Sequence, residues 1–452
     1  MNNFRQKVNK LPLLLGDIAL LYLSLLLTLA IRYKEGLSLE IWQVHWTIFT
    51  GLFFIWLIVF YSFDLYNFKN KPLLIDSLND YLPAGIINII IGIVYFYILS
   101  PSTNITPKTI LLILFAIFSF LFLIFRRFAG KVTSAEKFYP NLLFIGYQPL
   151  VKELLPKKGR DNRFYFKYKG IVRLDNNLDP EINLPQYSFD EIEEVIRKEN
   201  INLVVINEKN QIITDALFKI LPLRVNFISL ANFYELVCKK IPLSLINRDW
   251  FLDNFSEGDR KSYKAVKRFI DLVIACLMGL VSLIFIPFIT LAVKLDSKGK
   301  IFFIQKRIGE DGKIFKAYKF RTMYEGNNQT WTVKNDPRIT KVGKFLRKTR
   351  LDEIPQIINV IKGDMSLVGP RPERPELVME LEKDVPFYRQ RLLVKPGLTG
   401  WDQISDEYHS PSKEDTLKKL QNDLYYIKNR SIFFDLSIIL KTINIIFKLI
   451  GR

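Results

Sequence analysis

The sequence predicts a membrane α plus α/β protein: a four-helix transmembrane bundle, a cytoplasmic α/β domain and a mostly helical last domain. Three observations predict this class. Four long apolar runs fill the first 130 residues, and a fifth begins at Phe269. Between these two groups, short β-like runs alternate with helical stretches, which is typical of an α/β unit. The chain of 452 residues is also basic, with a net charge of +19, although 49% of its residues are hydrophobic.

The pairing of positive charge with hydrophobicity excludes several classes of protein. Nucleic-acid binders are basic but less apolar, and disordered tails carry far fewer aromatic residues than the 14% found here. Two cysteines rule out a disulfide framework, and two histidines add too few ligands for a Cys/His zinc cluster. We therefore expect any bound metal to have oxygen ligands.

The four N-terminal apolar runs predict a transmembrane bundle within residues 1–133. Each is near the ~20 residues that a helix needs to cross a bilayer, and they cover 11–31, 43–63, 82–100 and 109–125. Basic residues precede the first run and follow the fourth, at Arg5, Lys7, Lys10, Arg126, Arg127, Lys131 and Lys137. Because positively charged flanks stay inside the cell, we expect both ends of the bundle in the cytoplasm.

Residues 134–250 predict an α/β domain. Three β-like runs and one helical stretch alternate there, at Leu142–Ile145, Asp190–Lys198, Leu203–Asn207 and Val225–Ser229. Gly146 follows the first run, but no GxGxxG pattern surrounds it, and a pyrophosphate needs those glycines to approach the backbone. We therefore expect a structural or regulatory spacer rather than a dinucleotide site.

The last domain, 259–452, begins with an apolar run that has basic residues on both sides and Pro287 inside it. Proline breaks helix hydrogen bonding, so this pattern favours a re-entrant helix at about 265–295 that returns to the face it entered. A kinked fifth span is the alternative. That alternative would place a strongly basic segment outside the cell, since 294–350 contains 16 Lys/Arg against 5 Asp/Glu, a local +11.

Two amphipathic helices are predicted in this domain. Ile339–Thr349 carries Val342, Phe345 and Leu346 on one face and basic residues on the other. Such a helix can lie in the membrane interface and attract anionic headgroups or phosphates; a soluble helix with a solvated basic face is the alternative. Residues 432–449 mix charges into an apolar pattern, and we expect them to lie on the membrane rather than cross it.

Asp352 is the candidate nucleophile. A helix N-terminus and the neighbouring Arg347 and Arg350 should favour its ionised form, and an ionised carboxylate can attack phosphorus covalently. The structural alternative is a capping box formed by Thr349 and Asp352. A second candidate is Arg371, which lies between two prolines that restrict its backbone and present its guanidinium for bidentate phosphate binding; a plain turn with a surface arginine is the alternative.

Taken together, these stretches resemble the bacterial sugar transferase family, the polyprenyl-phosphate hexose-1-phosphate transferases also called monotopic phosphoglycosyl transferases. The matching segments follow family order: KRFIDLVIA at 267–275, FFIQKRIGEDGKIFKAYKFRTM at 302–323, DPRITKVGKFLRKTRLDEIPQIINVIKGDMSLVGPRPERPE at 336–376, VKPGLTGWDQIS at 394–405 and NDLYYIKN at 422–429. The first 250 residues resemble the long form of the family by architecture alone, with a Rossmann-like, CoA-binding-like domain after the four helices.

The resemblance implies a two-step transfer. Asp352 would attack the sugar-bearing phosphorus of a UDP-sugar, expel UMP, and pass the sugar phosphate to undecaprenyl phosphate, with Mg²⁺ as cofactor. Glu353 would assist as a metal ligand beside Asp352 or as a base. Four residues would hold phosphate: Arg347, Arg371, Lys319 and Arg321. The resemblance also implies a pathway, the initiation of exopolysaccharide, capsule or O-antigen synthesis. It places the protein in the bacterial inner membrane with the catalytic domain on the cytoplasmic face, and it implies a homodimer.

Three positions depart from the family pattern. Ile286 precedes Pro287 where serine is common, Arg350 stands where small or polar residues are common, and Asp402 replaces the alanine of Trp-Ala-Gln. An inactive homologue that serves as a membrane scaffold for glycan assembly is the alternative function, and a membrane-tethered nucleic-acid binder is a third class suggested by charge alone. We expect no nucleic-acid partner, because no aromatic platforms line a basic groove in the sequence. The identity of the sugar stays open.

Overall fold

A computed structural model of the chain describes residues 2–36, 38–63, 65–66, 74–103, 108–133, 139–155, 166–174, 184–207, 211–255, 261–324, 336–405 and 412–447. It divides into two compact units, Met1–Leu230 and Ala231–Arg452. Several apolar helices and a parallel sheet confirm the membrane α plus α/β class.

The first unit begins with four long helices: α1 (Asn2–Tyr33), α2 (Leu39–Ser62), α3 (Leu74–Thr103) and α4 (Lys108–Thr133). All four contain a segment long and apolar enough to cross a membrane. Helices α1 and α4 approach closely at Gly16, because a Cβ there would lie 2.3 Å from the ring of Phe125. A buried ion pair joins the same helices, with Arg126 Nη2 2.6 Å from Asp17 Oδ2.

The rest of the first unit is built on a five-stranded parallel sheet in the order β3-β2-β1-β4-β5. Its strands are β1 (Asn141–Ile145), β2 (Lys167–Val172), β3 (Gln186–Tyr187), β4 (Leu203–Ile206) and β5 (Asn226–Ser229), and the helices among them are α5 (Leu150–Leu154), α6 (Ile192–Lys198) and α7 (Gln211–Lys219). All three runs predicted as strands are strands. Two of these strands, β1 and β4, are nearly continuously buried, as is usual inside parallel sheets, whereas the edge strand β5 is more exposed.

The second unit is mostly helical and carries two small two-stranded sheets. Its helices are α8 (Leu230–Cys238, which begins one residue before the unit), α9 (Arg248–Asn254), α10 (Lys261–Asp296), α11 (Lys341–Thr349), α12 (Ile357–Lys362), α13 (Pro375–Asp384), α14 (Lys413–Asn429) and α15 (Ile432–Phe447). An antiparallel hairpin joins β6 (Phe302–Ile308) to β7 (Ile314–Phe320), and β8 (Ser366–Val368) pairs in parallel with β9 (Gly397–Thr399).

Helix α10 contacts the rest of this unit near both of its ends. Near its start, the Arg268 guanidinium donates to the carbonyl of Val360 at 2.6 Å. At its last residue, Asp296 Oδ2 accepts a hydrogen bond from the Val342 N–H at 2.8 Å. The middle of the helix is exposed and apolar, with Leu280, Val281, Leu283, Ile284, Phe285 and Phe288 all at least half exposed. The predicted stretch 265–295 is therefore one helix that contains Pro287. It contacts the rest of the unit near both ends and has an exposed apolar face between them.

The core of the second unit also includes residues that precede α10. Ile241 is fully buried, and its N–H donates to the carbonyl of Gln421 at 3.1 Å. Ile246 belongs to the same buried cluster, and Trp250 and Phe251 pack against it. The segment from Ile241 to Phe251 thus packs as part of the second unit.

Candidate active site

Asp352 and Glu353 lie on a short 3-10 helix, Leu351–Gln356, that follows α11 directly. The chain changes direction at Arg350, whose φ of 60° is left-handed, and this turn points both carboxylates inward. Each residue is only 8% exposed. The capping-box alternative is wrong, because the Thr349 hydroxyl donates to the carbonyls of Phe345 and Leu346 and the Arg350 cap uses no side chain.

Glu353 is surrounded by cations that come from three different parts of the chain. Lys319 Nζ on β7 lies 2.6 Å from its Oε1, and Arg371 Nη2 lies 2.9 Å from the same oxygen. Arg350 Nη1 is 3.9 Å from Oε2. The structure therefore brings together four residues that were predicted from sequence. Lys319 and Arg371 contact Glu353, and Asp352 is next to it in the chain.

These contacts set the charge state of the cluster. Burial alone would raise the pKa of Glu353, but Arg371, Lys319 and Arg350 outweigh burial and hold that pKa far below its usual range. Burial lowers the pKa of Lys319, and Glu353 opposes that effect. The Glu353 carboxylate raises the pKa of Arg371. Glu353 is thus ionised, and its negative charge is balanced by the nearby cationic side chains.

Asp352 differs from its neighbour. Its Oδ1 is buried and accepts no hydrogen bond from any residue that the structure describes. Burial raises the pKa of Asp352, and the charge of Glu353 raises it further, although Lys319, Arg371 and Arg347 oppose both effects. Arg347 favours the ionised form of Asp352, as expected from the sequence, but burial and the charge of Glu353 raise the pKa by more than the nearby cations lower it.

Arg347 lies near Asp352 and is oriented by a threonine. Its Nε donates to Oγ1 of Thr322 at 2.8 Å. Burial lowers the pKa of Arg347, and the charge of Asp352 opposes that shift. Thr322 was not predicted from the sequence. It lies 25 residues before Arg347 and just after β7, so no local periodicity links the two residues.

Arg321, which was predicted to hold phosphate, contacts the backbone just after α10. Its guanidinium donates to the carbonyl of Ser297 at 2.7 Å and to the carbonyl of Lys298 at 3.0 Å, just after α10. The residue is 7% exposed. These bonds direct the guanidinium to the end of α10, while Lys319, two residues earlier in the chain, reaches Glu353.

Asn359 holds the strand that carries Lys319. It is fully buried on α12, and its Nδ2 donates to the carbonyl of Lys316 at 2.7 Å. The N–H of Tyr318 donates to its Oδ1 at 3.3 Å. A buried amide that satisfies one carbonyl and one N–H of β7 fixes this strand against α12, and so places Lys319 beside the carboxylates.

The two carboxylates differ in the oxygens that they could offer to Mg²⁺. No group of three His, Cys, Asp or Glu residues is close enough to hold a metal within the described part of the chain. Asp352 nevertheless offers one unpartnered carboxylate oxygen, and Mg²⁺ is commonly held by one or two carboxylates together with substrate phosphates and water. Oε1 of Glu353 is already occupied by Lys319 and Arg371.

Comparison with known proteins matches the part of the chain that contains this cluster. A family described as "Bacterial sugar transferase" matches residues 262–449. A UDP-N-acetylgalactosamine-undecaprenyl-phosphate N-acetylgalactosaminephosphotransferase of Aeromonas hydrophila is 44% identical over 157 residues, which are 34% of this chain and 37% of the relative. The UDP-glucose:undecaprenyl-phosphate glucose-1-phosphate transferase of Escherichia coli (strain K12) is 43% identical over 187 residues, 40% of each chain.

A shorter relative is matched along most of its length. The exopolysaccharide production protein PSS of Rhizobium leguminosarum bv. phaseoli is 40% identical over 188 residues, which are 39% of this chain and 93% of the relative. The chain thus spans about two fifths of the length of the first two relatives and nearly all of the third. The shared segment begins near α10 and contains both carboxylates and all four predicted phosphate residues.

Proposed function

Because the chain belongs to the bacterial sugar transferase family, we propose that it transfers a sugar 1-phosphate from a UDP-sugar to undecaprenyl phosphate. The products would be undecaprenyl diphosphate sugar and UMP. The observation that carries this proposal is Asp352, a buried carboxylate with one unpartnered oxygen beside three cationic side chains, Lys319, Arg347 and Arg371. The reaction would initiate exopolysaccharide, capsule or O-antigen synthesis, in keeping with the names of the relatives.

In the first step, Oδ1 of Asp352 attacks the sugar-bearing phosphorus of the UDP-sugar. A phosphorus–oxygen bond to the aspartate forms, and the bond from that phosphorus to the UMP oxygen breaks, so that UMP leaves with the electron pair. The unpartnered Oδ1 needs no hydrogen bond to be broken before it reacts.

In the second step, a phosphate oxygen of the lipid attacks the same phosphorus. The acyl phosphate bond to Asp352 breaks and the carboxylate is regenerated. Lys319, Arg347 and Arg371 stabilise the negative charge that builds on the phosphoryl oxygens in both steps. Glu353 is a weak base because its pKa is strongly lowered, so we assign it the role of holding Lys319 and Arg371 in place rather than accepting a proton.

Mg²⁺, when bound, would neutralise the diphosphate and stabilise the UMP leaving group. Asp352 and Glu353 are the protein ligands that we propose for it. Oε1 of Glu353 lies within 3 Å of both Lys319 and Arg371, so Oε2 is the Glu353 oxygen left for the ion. Omission of Mg²⁺ should therefore abolish turnover without unfolding the protein.

We further propose that the active site lies at the membrane surface. Both ends of α10 contact the same compact unit through Arg268 and Asp296, which supports a re-entrant helix, because a spanning helix would place its ends on opposite sides of the bilayer. Pro287 lies inside α10, and we propose that the helix bends there. Helices α1–α4 would form the transmembrane bundle, in the bacterial inner membrane, with the site on the cytoplasmic face. The long-form resemblance adds a homodimer to this proposal.

The test is UMP release by the purified full chain with undecaprenyl phosphate, Mg²⁺ and a panel of UDP-glucose, UDP-galactose, UDP-N-acetylglucosamine and UDP-N-acetylgalactosamine. We expect release with at least one sugar. We also expect a sugar phosphate on Asp352, detected by mass spectrometry when the lipid is omitted. No release with any sugar would favour the scaffold alternative, and full release by Asp352→Asn would show that the nucleophile is wrong.

A further inference from the structure

Arg371 projects from a turn whose backbone is held at every position. The four consecutive carbonyls of residues 370–373 each accept a hydrogen bond of 2.9 to 3.0 Å from outside the turn. The donors, in order, are the Gly397 N–H, the Arg391 guanidinium, the Arg307 guanidinium and the Ile308 N–H. Backbone donors thus hold the two ends of the turn, and arginine side chains hold its centre.

We propose that Arg391 and Arg307 are positioning residues that act through Arg371. By holding the carbonyls of Arg371 and Pro372, they fix the backbone from which the Arg371 guanidinium reaches Glu353 and the phosphoryl group. This inference rests on the proposed function, since it assigns how one residue of that site is held.

The sequence of the turn explains why side chains are needed there. Pro370 and Pro372 have no N–H, so the turn cannot be held by an ordinary ladder of backbone hydrogen bonds in which its own residues donate. The Arg371 side chain is also about one-third exposed and has many rotamers. Donors from elsewhere in the chain therefore fix the backbone from which this flexible side chain extends.

Arg391 is built for this role and is shielded from substrate. It is 3% exposed, and its guanidinium uses all three nitrogens. Nε donates to Asp423 at 3.0 Å, Nη1 to the Tyr388 hydroxyl at 2.8 Å, and Nη2 to the Arg371 carbonyl at 2.9 Å. Such a planar fork can hold a carboxylate and a carbonyl at once, which the single ammonium of lysine cannot reproduce.

Arg307 holds the next carbonyl in a similar way. Its Nη1 donates to the Pro372 carbonyl at 3.0 Å and lies 3.6 Å from Oε2 of Glu373. Lys419 pairs with the same Glu373 carboxylate. The two arginines come from different elements, β6 and the 3-10 helix Tyr388–Leu393, and they converge on adjacent residues of one turn.

The test is a set of double-mutant cycles on UMP release by the full chain. Arg391→Lys and Arg307→Lys are each combined with Arg371→Ala. Alone, we expect each lysine variant to lower kcat/KM by about 10-fold to 100-fold, because small misplacements of a charge-stabilising group are costly. In the Arg371→Ala background, the further loss should be no more than about 2-fold, because residues that act through Arg371 have little left to affect once its side chain is removed.

Other outcomes overturn the inference. If each lysine variant lowers kcat/KM by the same factor with and without Arg371, the arginines act independently of it. The same conclusion follows if either variant lowers activity no more than Lys428→Met, the control on α14, which removes an ion pair with Glu235. Arg391 is buried. If Arg391→Lys does not fold, the cycle with Arg307→Lys decides the test, because the Arg307 side chain is 19% exposed. Wild-type protein that releases no UMP overturns the proposed function itself, and this inference with it.

Discussion

Lys319 donates a 2.6 Å hydrogen bond to Oε1 of Glu353, the oxygen that Arg371 also contacts. The adjacent carboxylate, Asp352, has an oxygen that accepts no hydrogen bond from any residue in the described ranges. Two neighbouring acids are thereby given opposite environments, and their pKa values move apart. Opposite pKa shifts of two neighbouring acids are typical of sites in which one acid reacts and the other holds nearby side chains in place.

Amide substitutions of the two acids should have opposite effects on stability. Asp352→Asn removes a buried charge that has an unpartnered oxygen, so we expect thermal stability equal to or above the wild type and UMP release lowered at least about 1,000-fold. Glu353→Gln leaves several buried cations without their anion, and we expect it to lose about 3 kcal/mol or more of unfolding free energy. Thermal unfolding in one detergent compares them.

The control for this pair is Glu380→Gln, the same chemical change at an exposed position on α13. It should change stability by no more than about 0.5 kcal/mol and leave UMP release unchanged. If Asp352→Asn destabilises the protein as much as Glu353→Gln does, the two carboxylates have the same environment and the division of roles is wrong.

The pH dependence follows from the raised pKa of Asp352. A folded-state pKa above the unfolded value of ~3.9 means that the folded protein binds the proton more tightly. Asp352 therefore favours the folded state at low pH, and this contribution is lost as pH rises through the folded pKa. The stability of wild type relative to Asp352→Asn should fall as pH rises through that window, while UMP release increases. A difference that grows with pH would contradict this sign.

Arg321 and Arg347 should separate structural from catalytic effects. Arg321→Lys loses at least one of two hydrogen bonds to carbonyls after α10. We therefore expect its free energy of unfolding to fall by about 2 kcal/mol, with little change in KM for the UDP-sugar. Arg347→Lys keeps a charge near Asp352 but loses the fork oriented by Thr322, and should lower kcat about 10-fold or more with a smaller stability change. A raised KM in Arg321→Lys at full stability would support the phosphate role predicted from sequence.

The topology of α10 can be tested with single cysteines at its two ends. In a variant without Cys238 and Cys276, Ser262→Cys and Lys298→Cys occupy exposed positions on either side of the apolar centre. If the helix is re-entrant, a membrane-impermeant maleimide labels both positions in inverted vesicles and neither in right-side-out vesicles. Labelling from opposite sides would establish a spanning helix.

Much of the fold was predictable because its signals are local. Apolar runs of helix length and buried strands bounded by turn residues are visible within about 20 residues of sequence. The candidate site was partly predictable for another reason. Lys319, Asp352 and Arg371 lie in stretches that resemble one family, and the structure places all three around Glu353 or next to it.

The remaining features depend on contacts between distant parts of the chain. Burial raises the pKa of Asp352, and burial cannot be derived from the neighbouring arginines in the sequence. Arg321 belongs to a stretch that predicted phosphate binding, and its hydrogen bonds to the carbonyls of Ser297 and Lys298 join residues more than 20 positions apart. Asn359 has no distinctive neighbours, and its importance depends on two backbone groups of β7 more than 40 residues away.

The last residues of β7 and those just after it have a consequence for the setting of the reaction. Lys319 reaches Glu353, and Arg321, about 7 Å further along an extended chain, holds the backbone where α10 ends. If α10 is re-entrant as proposed, the height of the nucleophile above the lipid is therefore coupled to the depth of α10. Bilayer thickness then becomes a variable of the chemistry, and lipids with longer or shorter acyl chains should change the rate of transfer even when donor and acceptor concentrations are held constant.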